Sequence, residues 1–285
     1  MTKPAQPVKR KPPLRLYDRS AQCVADDVLL PFAFEECIMR EVAESGVPAV
    51  HLWRHGRAVV LGLRDRKLPQ AVEAIRWLEG EGFRVGVRHS GGAAVPLDSG
   101  VLNVTLMMPK PPGQLDFHDD FVQMSDWIAD VLRPGGLRVE VGEIRGSYCP
   151  GNFDLSIDGK KFCGIAQRRQ VRAIAVQAFV NVEGSGEARG ERIREYYRRA
   201  LAGAANSGYA PDVRPDRVTS LAECAASSAA GAHSEPVRTV AQFVSRWKQV
   251  LRQRFEVIET ECRPDLEHPD VREKARQIRA RYDRS

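Results

Sequence analysis

The sequence predicts an α+β fold in which mixed or antiparallel sheets are flanked by helices. Neighbouring segments with strand character cluster in the middle of the chain, and segments with helical spacing stand before, between and after them. The 285 residues are enough to bury a core without a disulfide or a metal. No apolar run approaches the ~20 residues of a membrane span, which excludes an integral membrane protein.

The first predicted elements are a short strand and a helix. The strand covers residues 14–17, and the helix covers residues 31–45. The helix is predicted because proline is tolerated in a first turn and a glycine stands just past the end. Within it, Phe34, Ile38 and Val42 recur on one face.

A hairpin and a second helix are predicted next. Residues 49–63 contain two extended runs around a His-Gly dipeptide, which is the pattern of a hairpin. The helix at 70–79 would turn Val72, Ile75 and Leu78 towards the core. Further extended segments are predicted at 84–88 and 101–107.

The second half of the chain alternates in the same way. A helix at 119–132 is followed by several strands, of which the last alternates between two unlike faces. These strands are predicted at 137–141, 153–157, 162–165 and 173–182. The later helices are predicted at 187–201, at 239–255 with Thr239 as the cap, and at 267–281. The Ala-, Ser- and Gly-rich stretch at 202–232 is predicted to be a loose connection.

We expect a disordered basic arm at 1–13, a folded body at 14–256 and a charged helical extension at 257–285. No apolar stretch of signal-peptide type follows the arm, so a cytoplasmic protein is expected. The chain has 43 basic and 37 acidic residues, but part of the excess lies in the arm. Nucleic-acid binding needs that excess on a folded face, so no nucleic acid is expected, whereas an acidic protein partner fits.

A glycine pair marks the first candidate for chemistry, in the segment RHSGGAAVPLDSGVLNVT. Gly91 and Gly92 stand between two extended segments, where the absence of Cβ lets the main chain approach a ligand closely. Arg88 and Ser90 would place polar groups beside them. A tight turn or a bulge is the alternative interpretation of the glycines alone.

The second candidate is Cys149, in the segment GSYCPGNFDLSIDGKKFCGIAQRR. This cysteine precedes Pro150 and Gly151 in a loop, which is not a natural core setting, although a structural cysteine is the alternative. Lys161 follows an Asp-Gly turn, and a hairpin there could bring it back towards that loop. A lysine ammonium near a thiol stabilises the thiolate, which is the attacking form.

The remaining cysteines are predicted to be small apolar core residues, namely Cys23, Cys37, Cys163, Cys224 and Cys262. No two cysteines have CxxC spacing, so no zinc site is expected. The pattern GxxxxGK[ST] is absent, which excludes a P-loop nucleotide site.

Together the two segments resemble the superfamily of lipoate and octanoate transferases and ligases, which includes biotin protein ligase. The SGG block with Leu102-Asn103 looks like the superfamily's ligand-binding strand and loop, and Gly159 to Gln167 looks like its lysine motif, with Lys161 as the key lysine. The similarity runs from roughly Leu29 to Phe255 and implies the catalytic-domain fold of the biotin and lipoate protein ligases for residues 14–256.

Within the superfamily, the chain resembles the amidotransferases that carry a cysteine before the lysine hairpin, in a CPGxYDLS-like setting. The corresponding residues here are Cys149-Pro150-Gly151-Asn152-Phe153-Asp154-Leu155-Ser156. Lipoate ligases lack that cysteine and commonly carry GGGAVFH. This chain has Gly91-Gly92-Ala93-Ala94-Val95-Pro96, without the third glycine and the histidine.

The resemblance implies a ping-pong octanoyl transfer without cofactor or metal. Octanoylated glycine cleavage H protein would be the donor, and lipoyl domains of 2-oxoacid dehydrogenase complexes would be the acceptors. Cys149 would form the acyl thioester, and Lys161 would stabilise its thiolate and the oxyanion. The implied substrate-binding residues are Arg88, Ser90, Gly91, Gly92, Asn103, Asp154, Gly164 and Gln167.

Three other functions stay open at this point. If the chain is an ATP-dependent lipoate–protein ligase, its activity would survive replacement of Cys149. An octanoyltransferase of the other type would take octanoyl from acyl carrier protein. A non-catalytic binder of lipoyl domains would form no covalent adduct.

Overall fold

The computed structural model describes residues 10–113, 118–204, 210–227, 234–261 and 265–282. The predicted α+β class is confirmed, because two sheets are flanked by helices. The strands are β1 (Pro13–Val24), β2 (Ala49–His55), β3 (Arg57–Leu61), β4 (Arg84–Val87), β5 (Val95–Asp98), β6 (Val101–Pro109), β7 (Glu140–Val141), β8 (Leu155–Ile157), β9 (Lys160–Arg169), β10 (Ala173–Asn181) and β11 (Glu256–Glu259). The helices are α1 (Leu30–Ser45), α2 (Ala71–Gly80), α3 (His118–Leu132), α4 (Gly186–Leu201), α5 (Leu221–Ser227), α6 (Val240–Arg254) and α7 (Pro269–Tyr282).

The larger sheet has eight strands in the order β11-β1-β2-β6-β10-β9-β8-β7, and the smaller has three in the order β4-β3-β5. The hairpin predicted at 49–63 is therefore wrong, since β2 lies in the larger sheet and β3 in the smaller one. Only Gly56 separates these two strands, whereas the tightest common hairpin loop has two residues. The chain instead crosses from one sheet to the other at this point.

The core consists of two apolar clusters on opposite faces of the larger sheet. Successive residues of β10 alternate between them, since Ala175 belongs to one cluster and Val176 to the other. The first cluster includes α1, α2, α4 and the smaller sheet, and the second includes α3 and α6. The two unlike faces predicted for β10 are thus both buried.

The predicted buried faces are confirmed in α1 and, for Leu78 and the half-buried Ile75, in α2. Phe34, Ile38 and Val42 are all fully buried. In α2, however, Val72 is 45% exposed, so its predicted inward orientation is wrong. The buried stripe passes through Ala71, Ala74 and Leu78, because the small alanine side chains allow α2 to pack closely against α4.

The stretch 202–232 is not wholly a loose connection, as it contains α5, whose Leu221 is fully buried. Residues 205–209 and 228–232 of that stretch lie outside the described residues, as do Cys262 and residues 1–9 of the predicted arm. Farther along, β11 pairs with β1, and α7 packs on α1. None of the described helices is long and apolar enough to cross a membrane.

Candidate active site

The lysine hairpin consists of β8 and β9. Asp158 and Gly159, which join them, have φ values of 51° and 71°, as a two-residue hairpin turn with two left-handed positions requires. The pairing places Lys161 opposite Ser156, and the whole Lys161 side chain is buried. The Asp-Gly turn predicted from the sequence therefore fixes the register of the lysine.

Cys149 lies in the loop between β7 and β8 and has a strained main chain. Its φ of 47° is unusual for a residue other than glycine and costs on the order of 1–3 kcal/mol. The side chain is 8% exposed, and its sulfur has two donors. The Ala93 N–H donates to Sγ at 3.1 Å, and Arg88 Nη2 donates at 3.3 Å. Both donors point at the sulfur, where hydrogen bonds to a charged acceptor would be stronger than those to a neutral one.

The Lys161 ammonium contacts the loop of Cys149 through oxygen atoms and not through the sulfur. Nζ donates to the main-chain oxygens of Cys149 at 2.6 Å and Tyr148 at 3.0 Å, and it pairs with Asp154 Oδ1 at 2.8 Å. An ammonium has three donors, so all of them are used here. Burial raises the pKa of Asp154, and the Lys161 charge opposes that rise. The lysine thus holds the cysteine loop in place.

The glycine pair closes over the sulfur. Gly92 has a φ of 100°, and a Cβ built there would lie 2.5 Å from Arg88 Nη2 and 2.7 Å from Cys149 Sγ. Any larger residue would displace one of these two groups. The segment is therefore both a tight turn and a close approach, which joins the two interpretations that the sequence left open.

A cavity of about 320 Å³ opens beside Cys149, between the two sheets. Its volume is that of a small-ligand site. Apolar side chains form part of its wall, including Phe32, Trp53, Val60, Val95, Leu97 and Phe179. Polar side chains form the rest, including Arg88, Asn103, Thr105, Gln167 and Gln177.

Five of the eight expected substrate-binding residues line this cavity and three do not. The residues on the wall are Arg88, Gly91, Gly92, Asn103 and Gln167. Among the others, Asp154 pairs with Lys161, and Gly164 packs against the Phe179 ring, which a Cβ would approach to 2.6 Å. Ser90 is buried, and its hydroxyl has no hydrogen-bond partner among the described residues.

Glu35 is a buried carboxylate that sequence reasoning missed. It extends from α1, is 2% exposed, and accepts a hydrogen bond of 2.7 Å from Thr105 and one of 2.5 Å from Gln177, both on the cavity wall. His51 and Trp53 donate to the same carboxylate. The signal in the sequence was an acid within the apolar run FAFEECIM. This network fixes the polar part of the cavity floor.

Cys163 illustrates the contrast with Cys149. It lies in β9, is fully buried, and burial raises the pKa of its thiol strongly. Its predicted core position is confirmed. The only sulfur on the cavity wall among the described residues is that of Cys149.

The chain matches known proteins over most of its length. Residues 27–252 match the family model described as the lipoyl protein ligase A/B catalytic domain. An octanoyl-[GcvH]:protein N-octanoyltransferase from Geobacillus kaustophilus is 44% identical over 215 residues, covering 75% of this chain and 76% of the relative. A lipoyl-[GcvH]:protein N-lipoyltransferase from Listeria monocytogenes is 37% identical over 210 residues, covering 73% of this chain and 76% of the relative.

Solved structures show the same fold. A crystal structure of lipoate-protein ligase A bound with ATP superposes with a TM-score of 0.66 over 96% of this chain and 97% of that chain. The sequence identity is 18%, so this likeness concerns the fold alone.

Proposed function

The chain belongs to the lipoyl protein ligase A/B catalytic-domain family, and from that premise we propose that it is an octanoyl-[glycine cleavage H protein]:protein N-octanoyltransferase. It takes octanoyl from a lysine of the H protein and passes it to lysines of lipoyl domains through a thioester on Cys149. One observation carries the proposal. A cysteine sulfur with two hydrogen-bond donors lies on the wall of a partly apolar cavity.

In the first half-reaction, the Cys149 thiolate attacks the carbonyl carbon of the octanoyl-lysine amide. The S–C bond forms, and negative charge develops on the former carbonyl oxygen. The C–N bond then breaks, and the donor lysine leaves as an amine after taking up a proton. The Ala93 N–H and the Arg88 guanidinium lie at the sulfur, where they can stabilise both the thiolate and the nearby oxyanion.

In the second half-reaction, the neutral amine of the acceptor lysine attacks the thioester carbonyl. The C–S bond breaks, the amine loses its extra proton, and the thiolate of Cys149 is restored. Overall, one octanoyl-lysine amide bond breaks and another forms, so no ATP is consumed. Covalent catalysis thereby divides one difficult exchange into two easier steps.

Lys161 acts on this reaction through the cysteine loop. Its ammonium is committed to two main-chain oxygens and to Asp154, so a direct hydrogen bond to an oxyanion would require one of these to break. Its positive charge still lies next to the main chain of Cys149. We propose that it holds Cys149 in its left-handed conformation and stabilises the thiolate by its field.

The apolar part of the cavity suits an acyl chain. Each methylene group removed from water contributes about 0.8 kcal/mol, so an octanoyl chain would gain several kcal/mol there. The five cysteines among the described residues are free, which suits the reducing cytoplasm that we propose as the compartment.

The test is to incubate the protein with octanoylated H protein without ATP and to measure its intact mass. We expect one octanoyl group on Cys149, released by hydroxylamine. The Cys149→Ala variant should not be labelled, and the control Cys163→Ala should be labelled like the wild type. Label on Cys163, or labelling only with free octanoate and ATP or with octanoyl acyl carrier protein, would contradict the proposal.

Lipoyl is the second candidate cargo, because the Listeria monocytogenes relative is named a lipoyltransferase. Competition between octanoylated and lipoylated H protein at equal concentration decides between the two. A preference for the lipoylated donor would change the cargo and leave the thioester mechanism intact.

A further inference from the structure

Two consecutive main-chain N–H groups beside the active site point to different partners. The Ala93 N–H donates to Cys149 Sγ, as described above. The next one, Ala94 N–H, donates to the hydroxyl oxygen of Tyr197 on α4, at 3.1 Å. Tyr197 does not line the cavity, and its hydrogen bond towards the site is the one to this segment.

Tyr197 is itself held by a buried carboxylate. Its hydroxyl donates to Asp65 Oδ1 at 2.8 Å, and Asp65 Oδ2 accepts the Gly62 N–H at 2.7 Å. Both side chains are buried. Burial raises the pKa of Tyr197 well above its usual value, so the hydroxyl keeps the proton that it donates.

Gly62, whose N–H Asp65 accepts, contacts the other side of the segment. A Cβ built on Gly62 would lie 2.0 Å from the Gly92 carbonyl oxygen, so the turn that Asp65 closes contacts the peptide that carries the Ala93 N–H. The following peptide is held at both ends, because Arg88 donates to the Ala93 oxygen at 2.9 Å and Tyr197 accepts the Ala94 N–H. A peptide group is planar, so fixing both ends fixes its orientation.

We propose that Tyr197 and Asp65 are positioning residues for the Cys149 nucleophile. They orient the main chain at 92–94 so that the Ala93 N–H points at the sulfur and Arg88 can contact the sulfur and the Ala93 oxygen together. This inference rests on the proposed function for its catalytic meaning. Neither the buried hydroxyl nor the buried carboxylate lines the cavity.

Tyr197→Phe is the direct test, because it removes the hydroxyl and keeps the ring. The matched control is Tyr196→Phe, since the Tyr196 hydroxyl donates to the Asp65 main-chain oxygen at 3.3 Å and does not touch residues 92–94. Iodoacetamide labelling of Cys149 is followed across pH by peptide mass spectrometry, with Cys23 as an internal reference. Single-turnover thioester formation from octanoylated H protein is measured on the same proteins.

We expect Tyr197→Phe to slow both reactions at neutral pH by roughly tenfold, because the Ala94 N–H loses the buried hydrogen bond that orients its peptide group. Its labelling profile should move to higher pH, whereas Tyr196→Phe should match the wild type. If Tyr197 had only a structural role, Tyr197→Phe would lower the melting temperature without moving the pH profile of labelling. An unmoved profile in Tyr197→Phe, or an equal shift in Tyr196→Phe, overturns the inference.

Asp65→Asn provides a second variant if Tyr197→Phe does not fold, since the amide keeps an oxygen for Tyr197 but loses the charge and the acceptor for the Gly62 N–H. The same labelling shift, smaller in size, is expected, and no shift would refute the inference. The transferase proposal and the positioning proposal can each fail without the other. If wild-type protein forms no thioester but the labelling shift is present, the transferase proposal is wrong and the positioning role stands.

Discussion

At the scale of single residues, the site depends on the absence of a side chain at Gly92 and on the strained main chain of Cys149. Gly92 lets the loop come within hydrogen-bond distance of the Cys149 sulfur, and Cys149 adopts a left-handed conformation that directs its sulfur to that loop. Strain of this kind persists only where surrounding contacts hold it. Here the holding contacts are those of Lys161 on the carbonyls of residues 148 and 149.

Gly92→Ala should remove most thioester formation, because its Cβ would displace the sulfur or Arg88. We expect a loss of at least about a hundredfold, as for a missing oxyanion donor. Single-turnover acylation measures it. The control is Gly46→Ala, which also substitutes a left-handed glycine (φ 70°) but meets no atom within 4 Å. Equal losses of activity in both variants would show that backbone strain alone explains the effect.

At the scale of elements, the outcome of sequence reasoning depends on how local the signal is. The lysine hairpin was predictable because its Asp-Gly turn fixes the register within a few residues. The sheet in which β2 and β3 each lie was not predictable, since it depends on strand partners far along the chain. Cys149, Lys161 and the glycine pair stand in unusual local contexts, whereas the partners of Glu35, Asp65 and Tyr197 at the site lie far along the chain.

The contact between the lysine hairpin and the cysteine loop should serve both stability and activity. Lys161→Met leaves the buried Asp154 carboxylate without its cation, which we expect to cost about 3–5 kcal/mol in urea unfolding. Adding Asp154→Asn removes the stranded charge, so the double variant should recover much of that stability. It should not recover the rate of Cys149 alkylation at neutral pH. Recovery of both would mean that Lys161 has only a structural role.

At the scale of the whole molecule, one carboxylate joins three separate parts of the chain. Glu36 on α1 accepts hydrogen bonds from His89 beside the glycine pair at 2.7 Å, Arg168 on β9 at 2.8 Å, and Gln170 at 2.9 Å. Burial raises the pKa of Glu36, but the hydrogen bonds and charges of His89 and Arg168 outweigh it and hold the pKa at about 2. The cluster ties the active-site loop to the larger sheet.

This cluster predicts a component of acid stability. Glu36 binds a proton near pH 4.5 in the unfolded chain and only near pH 2 in the folded chain. The contribution of Glu36 to the free energy of unfolding is therefore complete above pH 4.5 and is lost as the pH falls towards 2. It amounts to on the order of 3 kcal/mol. Urea unfolding across this range should show a shallower pH dependence in Glu36→Gln than in the wild type. The exposed Glu44→Gln is the control, and an identical slope in all three proteins would contradict the prediction.

The pairing of β1 has a consequence for how the polypeptide is synthesised. β1 lies between β2 and β11 in the larger sheet, and β11 is translated long after β1. Until β11 emerges from the ribosome, residues 13–16 have no strand on their outer side. An open strand edge is a template for pairing with other polypeptides. The nascent chain therefore carries an open strand edge until β11 is made, and β11, the last strand among the described residues, is the one that covers it.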